Sequence, residues 1–365
     1  MKQFILVAGV DYEFKGVDFR VFCDNRMKRI LLANRVKEEM TFKIFDFRRG
    51  EVVTHDITYP GGKQATKTTK LTPSPFKSIS RANYDRSVSS SGETDYRFKD
   101  GQRNTMSILD IYNEVQHIGA SAPGTLFELS FFSHSWIDGP ILVNSYDDGI
   151  MYITVPPSTT PMPFVLPSGM RDPDDMDPRA AKDFISPTMN TTALNNFQKA
   201  FHGRGYIWIW GCTFPLPVHE ILVKIEHHPS YKERGLTDDV VFKITNFNAA
   251  QADFLESWIK TELGGPFPDK KKIEIKFKFL KYFFCKVTRA SYTYHIARNA
   301  KVKAYGGLMG TYSVYDSGSL PLMSVHKGFV RHFNFYKNYL GFAFDPEGRM
   351  YGEYKPGFTC TVPRP

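Results

Sequence analysis

Two short segments of this 365-residue chain carry residue types suited to nucleophilic chemistry: Ser133-His134-Ser135-Trp136-Ile137-Asp138-Gly139-Pro140 and Trp210-Gly211-Cys212-Thr213. A thiol of ordinary pKa is mostly protonated at neutral pH, and a nearby imidazole or helix N-terminus raises its thiolate fraction. In this reading Cys212 is the nucleophile, and His134 activates it and later protonates the leaving amine. Pro215 and Pro217 suit the start of a helix just beyond Cys212, which sets the sulfur near a positive helix end. The backbone N–H groups of Ser135 and Cys212 are the expected donors to a developing oxyanion. Trp136 is expected to form a wall of the substrate pocket, with Asp138 beside Gly139 orienting the loop.

Other residues of chemical interest fit plainer roles. Cys23, Cys285 and Cys360 are far apart and form no C-x-x-C pair with each other or with Cys212. That spacing describes neither a disulfide scaffold nor a zinc ribbon and fits a reducing compartment. His227 and His228 lack a spaced third ligand and read as solvated loop residues, so no metal is assigned. Asp172, Asp174, Asp175 and Asp177 lack the glycine and closing glutamate of an EF-hand and read as a solvated acidic turn. The run at 306–311, Gly-Gly-Leu-Met-Gly-Thr, lacks the Gly-Lys-Ser/Thr of a P-loop and reads as a turn lining a pocket. Neither Ser133 nor Ser135 stands in G-x-S-x-G.

The elements that must position these groups are strands and helices in alternation. Residues 4–10 form a continuous apolar run, the pattern of a strand buried on both faces. Residues 25–37 space apolar positions helically, and 41–47 alternate as a strand, which together make a βαβ unit. A helix at 106–118 leads to a third strand at 126–132, which ends just before His134. A helix at about 179–201 leads to a fourth strand at 206–210, which ends just before Cys212. Further helices are expected near Pro217 and at 249–263, with one helix from about 276 to 300 and a strand at 302–305. Two short strands are expected around Asp147-Asp148-Gly149. Residues 51–104 and 155–178 read as long insertions, the first a partly mobile surface segment. Residues 314–365, rich in Tyr, Phe and Gly, read as an extension capping the core.

In such sheets, ligands and catalytic groups gather at the carboxyl ends of the strands. A strand ending in His followed by a strand ending in Cys resembles the caspase–gingipain–clostripain group of cysteine peptidases (clan CD). The likeness extends over residues 1–313, with 4–9 as its first strand and 44–50 as its second. It implies a three-layer α/β/α caspase-like sandwich with a mostly parallel central sheet. It also implies that Tyr305, Gly306, Gly307 and Thr311, after the last core strand, line the specificity pocket. Ser135 stands where that group has glycine.

The expected function is a cysteine hydrolase, most plausibly a peptidase working through a thioester with no metal or organic cofactor. The alternative is a catalytically silent scaffold that binds a protein partner through its insertions. Lys+Arg exceeds Asp+Glu by 47 to 38, so weak association with polyanions is a third expectation, carried by Lys270, Lys271, Lys272, Lys276, Lys278, Lys281 and Lys286. No stretch approaches the roughly 18 uncharged apolar residues of a membrane span. The start shows no signal peptide, which suggests a cytoplasmic protein, with signal-less secretion left open.

Overall fold

Apolar residues in unbroken succession suit a strand with no solvent on either side, and Phe4 to Ala8 are all buried in β1 (Lys2–Ala8). The computed structural model describes residues 1–88, 94–99, 104–153, 157–160, 162–185, 188–246, 248–258 and 272–358. Helix α1 (Phe19–Ala33) begins where the Asp18 side chain accepts the Arg20 N–H. β2 (Met40–Asp46) then runs parallel to β1, Phe4 facing Phe42 and Leu6 facing Ile44. This is the expected βαβ unit.

The remaining strands of the central sheet, in chain order, are β3 (Glu51–Thr58), β4 (Ala65–Lys70), β5 (Leu126–Phe132), β6 (Phe201–Ile209), β7 (Lys303–Gly306), β8 (Ala343–Phe344) and β9 (Gly352–Tyr354). The other helices are α2 (Ile108–Ser121), α3 (Thr191–Ala200), α4 (Leu216–Glu226), α5 (Ala249–Trp258), α6 (Phe277–Arg289), α7 (Tyr292–Ala300) and α8 (Val330–Leu340). The nine strands lie in the order β8-β9-β7-β6-β5-β1-β2-β3-β4. The five central strands, from β7 to β2, are mutually parallel. β3, β4, β8 and β9 extend the edges antiparallel. The result is the expected three-layer α/β/α sandwich.

The two faces are covered differently. Glu128, Ser130, Tyr206, Trp208 and Tyr305 share the face under α1, where Arg26 enters from the helix. Arg26 Nε lies 2.9 Å from Glu128 Oε1, its Nη2 3.0 Å from Oε2, and Tyr206 donates to the same carboxylate at 2.8 Å. The guanidinium also lies over the rings of Trp208 and Trp210, 5.5 and 5.7 Å from their centroids. On the opposite face Gly306 is pressed against Thr293 of α7. There α7 joins α2 and α3, Tyr112 and Tyr292 meeting hydroxyl to hydroxyl at 2.6 Å.

Several elements differ from expectation. Residues 51–58 and 65–70 are strands of the central sheet, and 84–88 pairs with 94–98 as a ribbon. β4, an edge strand, is exposed throughout and needs bury nothing, which removes the apolar signal there. Gly139–Ile141 pairs with His134–Trp136, and Ile150–Ile153 pairs with Met162–Val165, so no hairpin closes around Asp147. The helix expected over 179–201 is a 3-10 turn (Ala180–Phe184) followed by α3. The single helix from 276 to 300 is two, broken where Ser291 caps α7 by accepting the Tyr294 N–H. Lys272–Lys276 before it is a strand paired with Val241–Thr245. The tail supplies β8, β9 and α8.

The ion pair between Arg26 and Glu128 is buried on both sides, so removing one partner strands the other charge. Glu128→Ala is expected to lower unfolding free energy by about 3 kcal/mol or more, read from the urea midpoint. A midpoint within experimental error of wild type would contradict the role given to this pair.

Candidate active site

The carboxyl ends of β1, β5 and β6 meet at one edge of the sheet. β5 and β6 are direct neighbours, and Trp210 N–H donates to Phe131 O at 3.0 Å just before the two chains leave the sheet. A Cβ placed on Gly211 would lie 2.1 Å from the Ser135 Cβ, and one on Gly9 would lie 2.7 Å from the Ser133 Cβ. Only glycine at these two places lets the three strand ends close on the segment that carries His134. Gly9, Ser133 and Gly211 thus draw the loops of His134 and Cys212 together.

His134 is held by a group the sequence reading missed. Its Nε2 lies 3.1 Å from Asp11 Oδ1, and Asp11 Oδ2 accepts the Val17 N–H at 3.0 Å. Burial pushes the Asp11 carboxyl up, but the hydrogen bonds from His134 and from the Val17 and Gly16 backbone outweigh it, and the carboxyl sits below its ordinary value. An ionised carboxylate only accepts, so the ring proton belongs on Nε2 and a neutral ring keeps Nδ1 as its base. The rings of Tyr12 and Phe19 flank the imidazole edge-on at 5.0 and 5.4 Å.

Cys212 is partly exposed, and its sulfur accepts the Ser313 N–H at 3.3 Å. Burial pushes the thiol up and the Glu13 charge adds to this; the Ser313 N–H works in the opposite direction and does not cancel it. The resting sulfur is therefore a thiol and not a preformed thiolate. Tyr315 stacks on Phe22 with ring centroids 5.3 Å apart, and burial, then the charges of Asp11, Cys212 and Glu13, push its phenol up to about 12. The hydrogen bonds of the resting state run from His134 to Asp11 and from Ser313 to Cys212, with none between His134 and Cys212.

The loop after β7 braces the sulfur's segment. Thr213 N–H donates to Thr311 O at 3.0 Å, Gly310 N–H to Thr213 O at 2.8 Å, and Ser313 Oγ to Gly211 O at 2.8 Å. A Cβ on Gly307 would reach 3.0 Å from Thr213 Oγ1. Gly307 and Thr311 therefore adjoin the Cys212 loop, whereas Tyr305 and Gly306 are buried in the sheet, Tyr305 against Trp208 at 5.0 Å. Trp136, Asp138 and Gly139 line a polar cleft of about 400 Å³ with Asp147, Arg179 and Tyr12, the last of which flanks His134. Trp136 is 45% exposed there. Ser135 is buried, its hydroxyl donating to Gly139 O at 3.1 Å, and no acceptor among the described residues meets the Cys212 N–H.

Two sequence expectations change. Asp172, Asp175 and Asp177 are buried rather than solvated. Asp177 accepts the N–H groups of Val143 and Ser145 at 2.9 and 2.7 Å, and burial pushes the Asp175 carboxyl up to about 8. Cys285 is disulfide-bonded, which the scattered spacing gave no reason to expect; Cys23 and Cys212 are free thiols, and Cys360 lies outside the described residues. Lys276 and Lys281 are ion-paired with Asp239 and Asp238, so the basic run is partly neutralised, and Lys270 and Lys271 lie outside the described residues. His227 is exposed with its ring on Val223 O, a loop residue as read from the sequence.

No protein-family model, curated protein or solved structure matches the chain.

A thiol held above its ordinary range reacts slowly at neutral pH, because only the thiolate is nucleophilic. Alkylation of Cys212 by iodoacetamide at pH 7.5 is expected to be slower than that of free cysteine and to keep rising as the pH passes 9. Cys23, fully buried, should label only in denaturant. A Cys212 rate that levels off below pH 8 would show a thiolate already formed.

Proposed function

We propose that this protein is a cysteine hydrolase of the peptidase class, in which Cys212 is the nucleophile, His134 its general base and Asp11 the residue that positions His134. The observation that carries this reading is the bond from His134 Nε2 to Asp11, with its 3.1 Å separation. It fixes the tautomer in which Nδ1 is unprotonated and able to take the thiol proton. Substrate binding would then have to bring that nitrogen onto the sulfur, since the resting thiol holds its proton.

In the reaction, Sγ attacks the acyl carbon as its proton passes to His134, and the imidazolium gives that proton to the leaving amine. Water then hydrolyses the thioester with His134 again as base. The unmet N–H of Cys212 is one donor suited to the oxyanion. The chain order of strand, His, strand, Cys across adjacent parallel strands supports the caspase-like assignment within this reading. The residue after His134 differs from that group, Ser135 standing where it has glycine.

The test is a library of fluorogenic peptide amides with the full chain. Cys212→Ala should abolish turnover, and His134→Ala should lower kcat by about 10²–10⁴. Asp11→Asn should lower kcat with little change in KM and shift the acid limb of the pH profile, a change that a purely structural role would not make. Turnover undiminished in Cys212→Ala would refute the assignment.

A further inference from the structure

The loop after β1 brings a second carboxylate to the same place. Asp11, Glu13 and His134 each present one ligand atom, and these atoms all lie within 4.8 Å of one another. We propose that these three side chains form a binding site for a divalent transition-metal ion of the zinc class, and that occupancy stops His134 acting as the base for Cys212.

The ligand set has the right chemistry. Zinc accepts imidazole nitrogen and carboxylate oxygen at about 2.0–2.2 Å, and sites with three protein ligands leave a fourth place for water. Ligands around a tetrahedral ion at that bond length are roughly 3.4 Å apart. His134 Nε2 and Asp11 Oδ1, at 3.1 Å, already stand at about that spacing, and Glu13 needs a movement on the order of 1 Å. A nitrogen donor with only two carboxylates favours zinc over calcium or magnesium, which prefer sets of oxygen ligands.

The surroundings suit a cation as well. The Val17 N–H holds the far oxygen of Asp11 and so aims the near one at the imidazole, an outer contact of the kind that orients metal ligands. Tyr12 and Phe19 fix the ring plane of His134. Glu13 is engaged by Lys15 Nζ at 2.6 Å, but Lys15 is 70% exposed and a surface pair of this kind holds weakly. Two carboxylates against one lysine leave the cluster net negative. An ion there binds Nε2 in place of its proton, which moves to Nδ1, the nitrogen that would otherwise accept the thiol proton. That consequence rests on the hydrolase reading; the binding does not.

The test uses the full chain, stripped with a chelator and titrated with zinc sulfate against a fluorescent zinc indicator. One ion per chain is expected. Glu13→Gln, a change in a partly exposed loop side chain, should weaken binding about tenfold or more, as should His134→Ala, with circular dichroism unchanged. Cys212→Ala should bind within about threefold of wild type. Absence of zinc binding, wild-type affinity in Glu13→Gln, or loss of binding in Cys212→Ala would overturn the site. Zinc binding as expected in a protein that hydrolyses no peptide would leave the site standing and remove the hydrolase. Hydrolysis undiminished by saturating zinc would overturn the inhibitory consequence.

Discussion

Parallel pairing of β5 with β6, and of β5 with β1, is the constraint on which the arrangement depends. Parallel neighbours end at the same edge, so the residues just beyond each strand are delivered to one place. Asp11, His134 and Cys212 lie 123 and 78 positions apart in sequence, yet each stands a few residues beyond the end of its strand. The close approach of Gly9 and Gly211 to Ser133 and Ser135 then packs the three strand ends against the segment that carries His134. Bulkier residues at either glycine would hold the strand ends apart.

The same sheet carries an unusual polar load under α1. Glu128 is fully buried, and its carboxylate is compensated by Arg26, Tyr206 and the Ser130 hydroxyl. Arg26 in turn reaches Glu347 at 2.7 Å, and Arg349 near it lies over Trp210. Trp210 donates to Ser130 at 3.1 Å and its carbonyl accepts from Tyr351. Buried charge of this kind is costly unless every partner is present. It fixes α1, the β9 region and the residue two before Cys212 against one another, so the network reaches the base of the crevice.

Much of the fold was legible because long apolar segments leave little choice. The run at 126–132 is β5 to the residue, and β1, β2, α2, α4 and β7 fall within a few positions of where periodicity put them. Polar edge strands such as β4, exposed throughout, were not legible, because a strand that buries nothing leaves no hydrophobic pattern. His134 and Cys212 were legible as reactive side chains standing just beyond two apolar strands. Asp11 and Glu13 stand just beyond β1 in the same way, so that signal was present too. Ser313 left none: its N–H reaches the sulfur through a ribbon whose register only tertiary packing sets. The buried acids at 172–177 misled because acidic residues in sequence usually mean solvent, and here backbone N–H groups replace it.

The central claim is that the imidazole of His134 and the sulfur of Cys212 share one crevice and act on each other. Nitrogen NMR of the histidine rings, recorded while Cys212 alone is alkylated, addresses this directly. The account predicts that the His134 Nδ1 resonance shifts on alkylation while those of His227 stay in place. A His134 ring that does not respond to a group added on Cys212 would contradict it.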